Sequence, residues 1–269
     1  MPQKMSRDAV QQIDQTLQRI AQENHANIAL AVESGSRAWG FASPDSDYDC
    51  RFIFIRGIDQ YLRLSPPRDV IEIPIDPIFD INGWDLGKAL KLMLKGNAVV
   101  IEWLQSPISY SGSEEFKIEL LAFATKFASR ELMTRHYLHL GLRQRRMYFG
   151  DGKYISLKKL FYALRPATAL RWLRYHPSER VPPMHFPTLM EESEPPKAIC
   201  DLVSSLMERK AQTRELGTEI IPYEICRYVD AEFEMATRLL GPSRVRLSRE
   251  AHEEADAFFC RWVRKCATI

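Results

Sequence analysis

The segments of this chain that read as β-strand all fall before about residue 110, and almost everything after it reads as helix. Ile28 to Val32 is a short apolar, β-compatible run, closed by a Gly35-Ser36 turn. Asp47 to Arg56 alternates, with Asp47, Asp49, Arg51, Ile53 and Ile55 on one side and Tyr48, Cys50, Phe52 and Phe54 on the other. A third extended region, Val70 to Ile81, is interrupted by Pro74 and Pro77. Proline cannot donate to a ladder, so this region is expected to pair first at an edge, bend, and re-enter the sheet over Ile78 to Ile81.

Helical periodicity accounts for most of the rest. Val10, Ile13, Leu17 and Ile20 recur at three- and four-residue steps, which predicts an opening helix from near Ser6. Leu86, Leu90, Met93 and Leu94 form a second stripe that ends at Gly96, and Val99 to Leu104 forms a short third helix. Ser111 and Glu114 are spaced as a capping box, and periodic segments follow near 115–128, 131–148 and 156–174. A Pro-rich connection from Val181 to Pro196 leads to helices near 197–210, 222–239 and 247–265. The expected fold class is α/β (α+β): a core with a small mixed sheet over residues 1–110, followed by a helical domain over 111–269.

Composition allows this division, since 269 residues at 45% hydrophobic content can bury one large core or two modest ones. The five cysteines are scattered and form no Cys-x-x-Cys pair, which argues against a disulfide framework or a zinc site and for reduced thiols. The N-terminus lacks the apolar core of a signal peptide, and no apolar run is long enough to span a bilayer, so a cytoplasmic protein with no membrane partner is expected. The net charge of +2 conceals an uneven distribution. Residues 130–180 hold twelve Lys or Arg against Glu131, Asp151 and Glu179. Such a zone is expected to face an anion, a triphosphate or a polynucleotide backbone such as RNA, unless it is a solvated helical surface.

One constellation carries chemistry. Gly35-Ser36 is followed, after ten residues, by Asp47-Tyr48-Asp49 at the start of a strand. Glycine lets backbone approach a phosphate closely, and the serine hydroxyl and nearby N–H groups can cradle the terminal phosphates. Aspartates at i and i+2 project from one side of a strand, so both can reach one pair of magnesium ions. Arg37 and Arg51 flank them and could neutralise phosphate charge, or pair internally with Asp45 or Glu33. In the helix from Ser156 to Arg174, Lys158, Tyr162 and Arg165 share a face and are expected to line the nucleotide cleft, with Pro166 kinking the helix just beyond. Glu102, on a short apolar helix, reads as structural, and His136 and His139 have no companion at ligand spacing.

The joined motifs resemble the signature of the DNA polymerase beta nucleotidyltransferase superfamily. The longer string from Glu33 to Phe41, with Ser46-Asp47-Tyr48-Asp49-Cys50-Arg51-Phe52, resembles one bacterial branch, the RNA-repair-pathway polymerase-beta-like proteins. Asp80-Ile81-Asn82-Gly83-Trp84-Asp85-Leu86, Glu102-Trp103-Leu104 with Ser106-Pro107, and Leu164-Arg165-Pro166 extend the similarity over roughly residues 28–175. One departure is Ser34, where the wider superfamily usually has an apolar residue before the glycine.

The resemblance implies transfer of an NMP from an NTP to a hydroxyl acceptor with pyrophosphate release, using two Mg2+ ions for which Mn2+ can substitute. It implies a third metal-binding carboxylate on a neighbouring strand in an apolar-Asp-apolar triplet, which Phe79-Asp80-Ile81 fits; Asp76 and Asp85 are the rivals. Asp47, Asp49 and Asp80 are then expected to converge on a common metal pair, with the helical domain closing over the nucleotide. The acceptor, whether an RNA end, a protein or a small molecule, is left open, as is the oligomeric state. The alternative, a catalytically silent nucleotide- or RNA-binding module, is opposed by the retained carboxylates.

Overall fold

Residue 34 is where the first long strand turns into a five-residue helix, and the sheet that positions the motif is built outward from that strand. The computed structural model describes residues 5–74, 76–149, 154–212, 219–220, 222–242 and 248–267. In chain order the elements around the sheet are α1 (Arg7–Glu23), β1 (Ala26–Ser34), α2 (Gly35–Trp39), β2 (Tyr48–Arg56), α3 (Ile58–Tyr61), β3 (Val70–Glu72), β4 (Phe79–Asp85), α4 (Leu86–Leu94), α5 (Ala98–Gln105), β5 (Ser109–Gly112) and α6 (Glu114–Phe127). Then come α7 (Arg130–Tyr148), β6 (Tyr154–Ile155), α8 (Leu157–Tyr175), α9 (Phe186–Glu192), α10 (Lys197–Gln212), β7 (Glu219–Ile220), α11 (Tyr223–Leu239) and α12 (Arg249–Ala267). No helix among the described residues is long and apolar enough to cross a membrane, and all five cysteines are free.

The five-stranded mixed sheet has the order β3-β4-β2-β1-β5, with β2 and β4 parallel and the other pairs antiparallel. The alternation read from the sequence decides its two faces. Tyr48, Cys50, Phe52 and Phe54 lie in one core with Ala9, Ile13, Leu17 and Ile20 of α1. Burying each of the large aliphatic side chains contributes about 1.5–3 kcal/mol. On the other side of β2, Ile53 and Ile55 are fully buried toward its C-terminal end, where α4 and α12 contact the strand. Asp49 and Arg51 stand at its N-terminal end on the same side, only half-buried.

The third extended region divides as its prolines require, into the edge strand β3 and the re-entering strand β4. Strand β4 runs through Gly83 to Asp85, directly ahead of α4. A Cβ on Gly83 would overlap the ring of Phe52, its partner in register, so this glycine permits close strand approach rather than ending a strand. A difference from the sequence reading lies at 109–112, which adds β5 to β1 instead of preparing a helix. The cap of α6 is therefore Ser113, whose hydroxyl accepts from the Phe116 N–H, and not Ser111. Strand pairing is a non-local gain that four residues of sequence do not advertise.

The chain divides into two compact units, and not by a single cut near 110. One holds α1, the sheet, α3 to α6, α12 and the first four residues of α2. The C-terminal helix belongs there because Phe258 and Trp262 pack on Phe116 of α6. The other unit holds α7 to α11, β6, β7 and the loop 39–46, whose Phe41 stacks on Phe161 of α8 at 4.6 Å.

Candidate active site

Strand β1 ends at Ser34, which lies opposite Asp49 of β2. The next residue, Gly35, has φ +72°, a left-handed conformation that other residues adopt only with strain. The Asp49 carboxylate occupies the position that a Cβ on Gly35 would take. Ser36 follows, buried in the first turn of α2. The Gly-Ser turn and the second aspartate are thus one packed unit.

The parallel pairing of β2 and β4 sets Asp49 directly beside Asp80. Arg51, two residues on, joins them: one guanidinium nitrogen lies 2.6 Å from an Asp80 oxygen and 3.5 Å from an Asp49 oxygen. The other terminal nitrogen donates to the Asp80 and Cys50 carbonyls at 2.7 and 3.1 Å. Asp80 is the more open of the pair, its side chain 55% exposed, and it also accepts from Asn82. Asp47 is half-buried just ahead of β2, and its carbonyl accepts from Arg37, whose guanidinium lies over the Tyr48 ring. No group of three or more His, Cys, Asp or Glu side chains among the described residues is placed to hold a metal ion. Arg51 is the counter-charge to the Asp49–Asp80 pair in this arrangement. The donor set still suits a hard cation, for it offers carboxylate oxygens on adjacent strands and a glycine cradle behind one of them.

The two rival carboxylates hold other posts. Asp76 accepts from the Ile78 and Phe79 N–H groups and shapes the entry into β4. Asp85 stands opposite Phe54 near the far end of β2, caps α4 by accepting from Gly87, and accepts the Tyr61 hydroxyl at 2.7 Å.

Glu33 is the participant whose role was not legible in the sequence, where it opens the family-like string and otherwise reads as an internal ion-pair partner, with Asp45, for Arg37 and Arg51. Its side chain is fully buried at the end of β1. One oxygen accepts the backbone N–H of Asp49 at 3.0 Å and the other accepts the Tyr110 hydroxyl. Burial pushes its carboxyl up to about 7, opposed by those two hydrogen bonds and the positive charge of Arg37, and aided by the charge of Asp49. The available signal was a carboxylate continuing an apolar strand into the Gly-Ser turn.

The remaining candidates lie in the helical unit. Arg165 is 4% exposed, with its guanidinium 4.4 Å from the Trp39 ring centre, so it does not stand on an open stripe. Tyr162 is half-buried between Trp39 and Tyr148, and Lys158 is half-buried one turn earlier. Helix α8 continues through Pro166 to Tyr175. Much of the basic zone at 130–180 is engaged internally. Arg171 and Arg174 share the buried Glu232, Arg145 pairs with Asp230, and Arg130 donates to carbonyls at and beyond the end of α8. Asp151 and Lys153 of that zone lie outside the described residues.

Comparison with known proteins covers both units. The family model for the RNA repair pathway DNA polymerase beta family matches residues 9–261. A protein of Bacillus subtilis (strain 168), described as uncharacterized protein YcgL, is 38% identical over 224 residues, which cover 83% of this chain and 85% of that protein.

Proposed function

This chain belongs to the RNA repair pathway DNA polymerase beta family, and on that premise we propose that it is a metal-dependent nucleotidyltransferase, moving an NMP from an NTP to a hydroxyl acceptor with release of pyrophosphate. The observation that carries the reading is the interlock of Gly35 with Asp49, which packs the Gly-Ser turn against one of the three candidate carboxylates. Asp47 and Asp49, with Asp80, are the residues that would hold divalent cations, and magnesium suits their all-oxygen donor set. When bound, such ions neutralise charge on the attacking and leaving oxygens. Gly35 and Ser36 offer a hydroxyl and closely approached backbone to the β- and γ-phosphates. Arg37 and Arg51 balance phosphate charge, and Arg51 exchanges its carboxylate partners for phosphate oxygens as it does so. Glu33 fixes the backbone of Asp49 from beneath and contributes no atom to the reacting groups.

The test is incubation with each α-labelled NTP, magnesium, and total cellular RNA or protein, beside the Asp49→Asn variant. Label entering one pool with the unaltered chain alone is the expected result, and label in neither pool rejects the reading. A second reading, a silent nucleotide- or RNA-binding module, is favoured by the ion pairs that Arg51 makes with both Asp49 and Asp80. It predicts NTP or RNA binding that Asp49→Asn leaves intact, without transfer.

A further inference from the structure

Four arginines outside the basic zone at 130–180 gather in one place. They line a cleft of about 580 Å3 in the sheet-containing unit, at the end of β2 remote from Asp49. Arg19 comes from the last turns of α1, Arg56 ends β2, and Arg63 and Arg68 come from the loop between α3 and β3. Glu23 and Glu72 are the two carboxylates in the lining, so the cleft is net positive.

The four arginines differ in kind. Arg56 is 7% exposed and is held by the Asn24 and Arg68 carbonyls and by the Gln60 side chain. Its buried Nε has no acceptor among the described residues. This is a fixed charge built into the floor. Arg19 and Arg63 are exposed, with no carboxylate in salt-bridge reach among the described residues, and Arg68 has only a solvent-exposed pair with Glu72. Such exposed pairs contribute less than about 1 kcal/mol and exchange readily for another anion.

From these observations we infer that this cleft binds the phosphate backbone of a single-stranded polynucleotide. Guanidinium groups match phosphate oxygens in a bidentate fork, and three of them on mobile stems around one fixed charge suit a flexible chain of phosphates. Among the described residues no Phe, Tyr or Trp lines the cleft and His25 is the one aromatic ring in the lining, beside four guanidinium groups, so contact is chiefly to backbone rather than bases. A lone NTP at Asp49 does not reach it: Arg56 lies seven residue steps along the strand from Asp49, about 23 Å. A polynucleotide acceptor spans that distance. The inference deepens the proposed nucleotidyl transfer by naming the acceptor class, and rests on it only for the fate of the bound strand.

The experiment measures anisotropy of a fluorescein-labelled single-stranded RNA with the full chain, across a salt series. It compares the unaltered chain, the triple variant Arg19→Ala/Arg63→Ala/Arg68→Ala, and Arg143→Ala/Arg146→Ala on the exposed surface of α7. The triple variant should bind about tenfold or more weakly, and its salt slope should fall by about 2, since each single-strand phosphate contact contributes roughly 0.7. All three arginines are exposed, so its melting temperature should match the unaltered chain. Equal RNA affinity in the triple variant overturns the inference, as does an equal loss in the α7 variant. Binding through these arginines to phosphatidylserine vesicles but not to RNA also overturns it. Label transfer from α-labelled NTP into total cellular RNA or protein, measured beside the anisotropy, separates the two readings. If no pool is labelled but the RNA difference persists, the cleft stands and nucleotidyl transfer falls. If a pool is labelled and RNA affinity is unaltered in the triple variant, the cleft falls and transfer stands.

Discussion

The Asp49 carboxylate fills the space that a side chain at residue 35 would occupy. A methyl group there cannot be accommodated without moving Asp49, and the left-handed backbone of Gly35 resists any Cβ by about 1–2 kcal/mol. Gly35→Ala should therefore lower unfolding free energy by about that amount. It should lower NTP transfer by about 100-fold, the effect of displacing a reacting group by roughly 1 Å. Urea denaturation and labelled-NTP transfer measure the two effects separately.

Asp49→Asn should abolish transfer, with a loss of at least about 100-fold, while changing stability by less than about 1 kcal/mol. The asymmetry follows from its surroundings, since its ion pair with Arg51 is long at 3.5 Å. Asp80→Asn should behave alike, because its closer pair lies at a half-exposed surface. Equal losses of stability and activity would mark these carboxylates as structural.

Glu33 predicts the opposite balance. Glu33→Ala leaves the Asp49 N–H and the Tyr110 hydroxyl without their acceptor in a buried place, which should destabilise the protein by about 2–4 kcal/mol. Glu33→Gln keeps one acceptor and the volume, and should restore most of that stability. Chemical denaturation of the metal-free variants decides it; an Ala variant as stable as the unaltered chain would remove Glu33 from its assigned role.

The α4 cap carries a pH signature. Burial raises the Asp85 carboxyl above the ordinary aspartate range, against the hydrogen bonds it accepts from Tyr61 and Gly87 and the charge of Arg56. A group whose pKa is higher in the folded state contributes stability below its unfolded value, and that contribution is lost as pH rises through the folded value. Asp85→Asn retains the cap without the charge. The stability of the unaltered chain relative to this variant should thus decline as pH rises above about 4. Urea midpoints of both proteins at several pH values test it, and a constant difference would contradict it.

Arg165→Ala should destabilise the helical unit by about 1–2 kcal/mol, because a buried guanidinium is lost from the face of Trp39. Lysine should not rescue it, since the planar contact is what packs. Thermal unfolding of the two variants is the measurement. A variant as stable as the unaltered chain would overturn this packing role.

What the sequence determined about this protein is what depends on neighbours along the chain. Alternation in residues 47–56 set which side chains share a face of β2, and two aspartates at i and i+2 had to emerge together. The apolar steps of α1 had to bury one side, and Pro74 and Pro77 had to split the third extended region. Tertiary structure decided what depends on partners distant in sequence. Parallel register alone brought Asp80, rather than Asp76 or Asp85, beside Asp49. Pairing with β1 made a strand of residues 109–112, and a ring on the next strand explained Gly83. The ten residues between the glycine-serine turn and Asp47 read as a spacer, yet most of them pack with the helical unit. Arginines counted as one basic zone were divided by their acceptors, some into buried pairs with Glu232 and Asp230. A guanidinium reads the same in sequence wherever it lies, and only packing decides whether its partner is a carboxylate of its own chain or an anion in solution.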